Sequence, residues 1–365
     1  MVNSPAMEDL GTRAGAIGVR TLTDGEQAAS DVAPLVASFL AGARRTLDIA
    51  LYDLNLSPAV AEPVLGALHD AAHRGVAVRL AYNQDHAKAI PVPPPPQTPP
   101  EMIERSGVPA KAIPGVPDLM HQKYVVRDAA SVWTGSANWT DDSWSREENV
   151  LVTVDSPQVA AAFARDFEEL WSSGVVQPTG AFDTDAASLG GTTVRPWFSP
   201  GRGRKLAHRI AAAIGRAERR VRVCSPVITA GAILGTLADL AAKPGGTGGP
   251  DLAGMCDATQ MQQVLRQWRQ DPHAAWKEPA FRSLVQRAPF GGKVSTPYAP
   301  GTVHDYMHAK FTVADDTVFV GSYNLSGSGQ ENAENVLEIE DAGLADRLAA
   351  FADRLRARYP SASGL

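Results

Sequence analysis

The chain has 365 residues, 44% of them hydrophobic, which is enough for about two domains with buried cores. A formal net charge of −6 rules out an overall basic field that would hold a nucleic acid regardless of its sequence. Cys224 and Cys256 fit neither a disulfide framework nor a paired-cysteine metal site, and read as buried free thiols. The opening "MVNSPAMEDLGTRAGAIGVRTL" lacks the basic-then-apolar pattern of a secretory signal, and no later run approaches a membrane span, so the expectation is a soluble cytoplasmic protein.

Residues 1–28 read as an N-terminal extension. Then "SDVAPLVASFLAGARR" has helical spacing and runs into the apolar strand "TLDIALYDL"; "VLGALHDAAHRG" is a helix stopped by Gly75, followed by the strand "VAVRLAY". "IPVPPPPQTPP" at 90–100 is a stiff polyproline spacer, read as a surface loop or as a border of a substrate entrance. Next come "MHQKYVVRD", an apolar run ending in "GSANW", the strand "ENVLVTVD" and the amphipathic helix "PQVAAAFARDFEELW". The Gly-, Ser-, Thr- and Pro-rich stretch 172–196 is the seam, giving a first half at 29–180, a linker at 181–196 and a second half at 197–365.

The second half repeats the order: "RKLAHRIAAAIGRAERR", "VRVCSPVI", "ILGTLADLAAKPGG", "DLAGMCDA", "MHAKFTVAD", "TVFVGSYNL", "ENVLEIED" and "GLADRLAAFADRLRARY". His121 and His308 are 187 residues apart, Asn138 and Asn324 are 186 apart, and so are Glu148 and Glu334, as a duplication requires. The expected fold is two similar mixed-sheet α/β sandwich halves related by a pseudo-two-fold axis, with one site at the seam. Loops 85–117 and 243–303 have no counterpart in each other, and "KPGGTGGP" at 243–250 reads as a plain turn.

In "HQKYVVRD" and "HAKFTVAD" the His and Lys are two apart, so on a strand both project from one face. Asn138 and Asn324 follow behind Gly-Ser pairs whose small side chains let backbone approach a ligand closely, and a carboxylate follows ten residues later at Glu148 and Glu334. Two imidazoles, two ammoniums and two amides suit an anion with several oxygens. For a phosphodiester, Lys123 and Lys310 offset charge, the Asn and Ser side chains donate to oxygens, one His attacks phosphorus and the other protonates the leaving oxygen, with no metal or cofactor needed. Glu148 or Glu334, accepting from the far ring nitrogen, would fix the tautomer, and unequal surroundings would push the two imidazoles apart in pKa.

The pattern H-x-K-x4-D followed by G-S-x-N resembles the signature of the phospholipase D superfamily. His121, Lys123, Asp128, Gly135, Ser136 and Asn138 match it once; His308, Lys310, Asp315, Gly321, Ser322 and Asn324 match it again. The resemblance implies a phosphohistidine intermediate with His121 as nucleophile and His308 as general acid, and a structural rather than chemical role for Asp128 and Asp315. The second copy is one residue shorter between Asp and Gly-Ser, so that Asp316 competes with Asp315 for the motif position. The implied substrate is a phosphodiester, with phospholipid ranked ahead of nucleic acid, and with hydrolysis or transfer to an alcohol as the reaction. A monomer with transient membrane-surface contact would suffice; a non-catalytic binding protein with a vestigial site is the alternative outside the enzyme class.

Other strings read more plainly. "HDYMH" at 304–308 would make a zinc pair of His304 and His308 only on a helix, and the strand-like run after it argues otherwise. His69 and His73 read as solvated or capping residues, "RGRKLAHRIAAAIGRAERRVR" as a packed helix with a wet basic face, and Trp139 and Trp144 as core anchors or substrate contacts.

Overall fold

The computed structural model describes residues 17–86, 94–243 and 249–365. Residues 1–16, 90–93 of the proline run and most of the "KPGGTGGP" turn therefore lie outside the described residues. In chain order the first half forms β1 (Ile17–Leu22), α1 (Ala29–Ala41), β2 (Thr46–Leu51), β3 (Leu54–Asn55), α2 (Pro58–His73), β4 (Ala77–Asn83), α3 (Pro100–Ser106), β5 (Ala110–Ile113), β6 (Lys123–Arg127), β7 (Ser131–Gly135), β8 (Trp139–Thr140), α4 (Asp141–Ser145), β9 (Asn149–Asp155) and α5 (Pro157–Ser173). The second forms β10 (Ala187–Leu189), β11 (Thr192–Ser199), α6 (Gly203–Arg216), β12 (Arg220–Cys224), α7 (Gly231–Ala242), β13 (Asp251–Asp257), α8 (Ala258–Trp268), α9 (Lys277–Arg287), β14 (Phe290–Lys293), β15 (Phe311–Ala314), β16 (Thr317–Gly321), α10 (Gly327–Glu331), β17 (Glu334–Glu340) and α11 (Ala342–Arg358).

These make two mixed sheets, ordered β1-β9-β7-β6-β2-β4-β5 and β10-β11-β17-β16-β15-β12-β13-β14. Both differ from the sequence reading at their edges. β1 lies in the span read as an N-terminal extension and pairs antiparallel with β9; β10 and the start of β11 lie in the span read as a linker, and β11 pairs with β17 in the same way. Each half therefore starts one strand earlier than its helical repeat. The insert regions also correspond: α3 leads to β5, parallel to β4, as α9 leads to β14, parallel to β13. Both edge strands are four residues long ("AKAI", "FGGK"), too short for alternation to mark them.

Local chemistry sets the long helices. Ser156 accepts from Val159 N, Pro157 opens α5, and Gly174 ends it in the left-handed conformation; Asp341 caps α11 through Leu344 N. Their apolar stripes, Phe163, Phe167 and Leu170 on one helix and Leu348, Phe351 and Leu355 on the other, join the two sheets in one central core. Two outer cores sit under α1 and α2 and under α6, α7 and α9. α6 buries Leu206, Ile210 and Ile214, so the basic run is a packed helix; Trp139 and Trp144 meet edge to face, 6.2 Å between centroids, inside the first outer core.

β2 and β6 run antiparallel with Leu51 opposite Lys123, and β12 and β15 with Cys224 opposite Phe311, so both His-Lys strings sit at the C-terminal ends of β2 and β12. At the far ends of the same hairpins stand Asp128 and Asp315, at φ of 58° and 52°. Asp128 accepts from the N–H groups of Arg44, Arg45 and Thr46 at 3.0, 2.7 and 2.9 Å, and Asp315 from those of Glu218, Arg219 and Arg220 at 2.9, 2.8 and 3.1 Å. Asp316 pairs with Arg219 instead, which separates the two adjacent aspartates.

Candidate active site

Each motif histidine is anchored by the opposite half. Met120 bridges to Ala333 and Met307 to Glu148; His121 N donates to Ala333 O at 2.9 Å and His308 N to Glu148 O at 3.1 Å. His121, Lys123, Asn138, His308, Lys310 and Asn324 are all buried, His121 completely. Each lysine folds back on its own motif: Lys123 Nζ donates to His121 O at 2.5 Å and Lys310 Nζ to His308 O at 2.6 Å. The extended His304–His308 segment cannot place a zinc pair on one helix face. His304 meets Gln97, while the His308 ring faces Glu147.

The imidazoles take their partners across the seam. His121 Nδ1 lies 2.9 Å from the Glu334 carboxylate, both fully buried. His308 Nδ1 lies 3.2 Å from Glu147 Oε2 and 3.2 Å from Asn149 Oδ1. Glu148, expected from sequence to hold a ring, points the other way: it accepts from Lys293 Nζ at 2.9 Å and from the Tyr359 hydroxyl. Strand alternation is the reason, because residues 147 and 149 share a face that 148 does not.

The matched "ENVL" strings had put Glu148 opposite Glu334, yet the two halves align one residue away. Ser136 N donates to Val150 O and Ser322 N to Asn335 O, so Asn149 is the counterpart of Glu334 and Glu147 that of Asn332. Arg146, the extra residue between α4 and β9, causes the slip. Both sites thus contain one carboxylate and one amide in reversed order: Asn149 Nδ2 donates to Glu147 Oε2 at 3.0 Å, and Asn332 Nδ2 to Glu334 Oε1 at 3.4 Å. E-x-N before one strand and N-x-E before the other was the signal in sequence, masked by the longer identical string.

Two further expectations change. Ser136 donates to Asn149 Oδ1 at 2.6 Å and Ser322 bonds Glu334, so these hydroxyls brace the histidine partners rather than reach for an anion. A Cβ on Gly135 or Gly321 would stand 2.1 Å from the Val150 or Asn335 carbonyl oxygen, so the glycines admit a neighbouring strand, not a ligand. What does face the site is unpaired: His121 Nε2 and the Oδ1 atoms of Asn138 and Asn324 are buried without a hydrogen-bond partner among the described residues.

Electrostatics separate the two sides. Burial, then Lys123 and Lys310, push His121 well below the ordinary imidazole range. Burial also lowers His308, and the neighbouring Glu147 opposes it. Burial would raise Glu147, but His308, Ser143 and Lys310 outweigh it and hold this carboxylate below its usual range, whereas burial lifts Glu334 above it despite Lys123. Burial brings Lys123 down to about 8 and Lys310 well below its ordinary value.

A family model for "Cardiolipin synthase, PLD-like domain" matches residues 36–171 and 210–356, the two halves in turn. The chain belongs to the phospholipase D-like family. It is 34% identical over 133 residues to the mitochondrial cardiolipin hydrolase of Xenopus laevis, covering 36% of this chain and 57% of that protein. The human mitochondrial cardiolipin hydrolase is 31% identical over 134 residues, 36% of this chain and 48% of the relative. The alignments thus span about half the length of these curated relatives. Among solved structures, the phosphatidylserine synthase of Haemophilus influenzae superposes with a TM-score of 0.63 at 11% identity, over 93% of this chain and 86% of the other. Polyphosphate kinase from Porphyromonas gingivalis gives 0.60 at 10% identity, over 93% of this chain and 47% of that one. At such identities the likeness is one of fold: two phospholipase D-like halves in one chain.

Proposed function

We propose that this phospholipase D-like chain cleaves the phosphodiester of a phospholipid through a covalent phosphohistidine, with water as the acceptor and a primary alcohol able to compete for it. The observation that carries the reading is the unpaired, fully buried Nε2 of His121, in a site that also holds Lys123, Lys310, Asn138 and Asn324. With its Nδ1–H donated to Glu334, His121 keeps a lone pair on Nε2, a tautomer assigned from the hydrogen-bond network. That lone pair forms the bond to phosphorus as the bond to the leaving alkoxide breaks, and His308 Nε2 gives the alkoxide its proton. Water then attacks phosphorus, passes a proton to His308 and releases His121. A bound phosphate anion adds negative charge that raises His308, and Glu147 holds the resulting imidazolium. Lys123 and Lys310 offset the charge on the nonbridging oxygens. Both motifs lie in one chain, so a monomer suffices.

A lipid substrate is supported by the names of the curated relatives, cardiolipin hydrolases, and by the chain's net charge of −6, a poor match for a polyanion. The test is turnover of cardiolipin, phosphatidylcholine and single-stranded DNA by the wild type and His121→Asn, with acid-quench trapping of the phosphoenzyme. Lipid cleavage that falls at least about 1,000-fold in His121→Asn is expected. Turnover retained by that variant refutes the nucleophile; cleavage of DNA alone refutes the substrate class.

A further inference from the structure

The site is rimmed by three stretches that carry no Asp, Glu, Lys or Arg: "PPPQTPP" at 94–100, "IPGVP" at 113–117 and "VSTPYAPGTVH" at 294–304. Topology places all three at the catalytic end. β2, β4 and β5 are parallel and Leu51 at the end of β2 faces Lys123, so the segments that follow β4 and β5 leave the first sheet at the same end as His121. β12, β13 and β14 are parallel in the second sheet, so residue 294, which follows the edge strand β14, leaves that sheet at the same end as His308.

Contacts fix the rim in place. Tyr52, edge-on to His121 with centroids 4.6 Å apart, donates its hydroxyl to Pro94 O at 2.6 Å. Gln97 N donates to Asp53 at 2.6 Å, and the Gln97 side chain crosses to His304 of the other half at 3.1 Å. His304 in turn lies against Tyr298, 5.7 Å between centroids. Residues 94–97 of the proline run thus lie between Tyr52, beside His121, and His304 of the other half.

The composition of the rim identifies its partner. Nine of the chain's 27 prolines lie in these three stretches. Proline has no N–H, so a proline-rich rim has fewer backbone donors to strip of water when it enters an apolar phase, and it enters already rigid. Four large hydrophobic residues are exposed among the described residues, and two of them are on the rim: Val116, 54% exposed, and Val294, 73% exposed. A nucleic acid strand would need cations here to meet its phosphates, and the three described stretches supply no Lys or Arg.

The geometry points to a bilayer-docking surface: the segments 94–100, 113–117 and 294–304 seat the catalytic mouth on a lipid surface through uncharged contacts, with Val116 and Val294 as inserting side chains. This rests on the reading of the site as acting on lipid, and the experiment separates the two. Sedimentation with phosphatidylcholine vesicles, which carry no net charge, is measured for the His121→Asn protein, for the same protein with Val116→Glu and Val294→Glu added, and at 0.1 and 0.5 M NaCl. Active proteins with and without the valine substitutions are compared on vesicles and on a short-chain phosphatidylcholine below its micelle concentration.

The expected result is vesicle binding that survives high salt, falls at least tenfold in the double valine variant, and is matched by loss of vesicle turnover while the monomeric lipid is cleaved within twofold of wild type. Val116 and Val294 are exposed and are not among the buried site residues, so the monomeric substrate also controls for folding. Vesicle binding abolished by salt, or unchanged by the two substitutions, overturns the docking surface. Failure of both lipid forms with the wild type overturns the substrate reading, and the docking surface with it. Single-stranded DNA captured through the same valines in place of vesicles does likewise.

Discussion

Beneath the His121–Lys123 strand, on the face opposite those two side chains, Asp166 of α5 is completely buried. Gln122 Nε2 and the Tyr124 hydroxyl both donate to its Oδ2, at 2.6 and 2.9 Å, leaving Oδ1 and the Gln122 Oε1 without partners. The other half builds the matching place from Ala309, Phe311 and Phe351, the two rings stacked at 6.1 Å. The fold therefore does not require a carboxyl there. Burial, only partly offset by the Tyr124 and Gln122 bonds, raises Asp166 from 3.8 to about 7. Its folded pKa exceeds its unfolded one, so between roughly pH 4 and 7 the folded state keeps a proton that the unfolded chain has released, and stability falls as pH rises through that window. At ~1.4 kcal/mol per unit, the full shift corresponds to about 4 kcal/mol, of which about 2.7 kcal/mol is lost between pH 5 and 8.5. Asp166→Asn keeps an acceptor for Tyr124 and does not titrate. In urea denaturation at both pH values the wild type should lose about 2–3 kcal/mol more than Asp166→Asn. Asp53, Asp257 and Glu334, also raised by burial, remain in both proteins and cancel in the comparison. Parallel pH profiles for the two proteins would refute the reasoning.

Glu147→Gln should lower kcat by ~100-fold or more and shift the pH–rate profile, because the carboxylate across the seam from His308 is gone. Glu148→Gln should instead leave that profile in place and cost about 1.5–3 kcal/mol in denaturant melts, because buried Lys293 keeps Asp24 as its one remaining carboxylate partner; the opposite pattern would restore the register suggested by "ENVL". Gly135→Ala, with φ of 139° and a carbonyl 2.1 Å from the new Cβ, should destabilise by ~3 kcal/mol or fail to fold, read as a drop in melting temperature. Asp128→Ala should lose about 2–3 kcal/mol with the three N–H bonds to the α1–β2 turn, while kcat on a soluble diester stays within about threefold.

Much of the fold was legible because duplication states it twice. Helix-strand order, the two His-Lys strings, Asn138 and Asn324 could be read from periodicity and matched offsets, and the sheets follow that order. What escaped reading depended on short or long-range pairing. β1 and β11 carry no repeat signature beyond modest apolar content, and their strand character comes from β9 and β17 alongside. β5 and β14 are defined by parallel partners far along the chain. The histidines and lysines that the structure brings together could be picked out by identity, but Glu147 and Lys293 could not: one was hidden by an extra residue, and the other sits at the tip of an edge strand. The serines and glycines of the motif were recognised and given the wrong neighbours, since a sequence offers spacing and not the facing strand.

The departures from two-fold symmetry have a common consequence. The main-chain frame is nearly symmetric: each histidine N–H reaches across the seam, and each lysine returns to its histidine carbonyl. Around that frame the copies differ in charge. Glu334 and Asn332 exchange places with Asn149 and Glu147, the Glu148–Lys293 pair has only Ala333 as its counterpart, and Asp166 stands where the other half has Phe351. Two identical imidazoles in identical surroundings would titrate as an equivalent pair, and neither would be assigned as base or acid before substrate arrived. Displacing one carboxylate by two residues, from the counterpart position of Glu334 to Glu147, gives His121 a partner lifted by burial and His308 a partner held ionised. The proposed reaction, with one imidazole bonding to phosphorus and the other passing a proton, needs that inequality, and the extra residue at Arg146 sets the register that provides it.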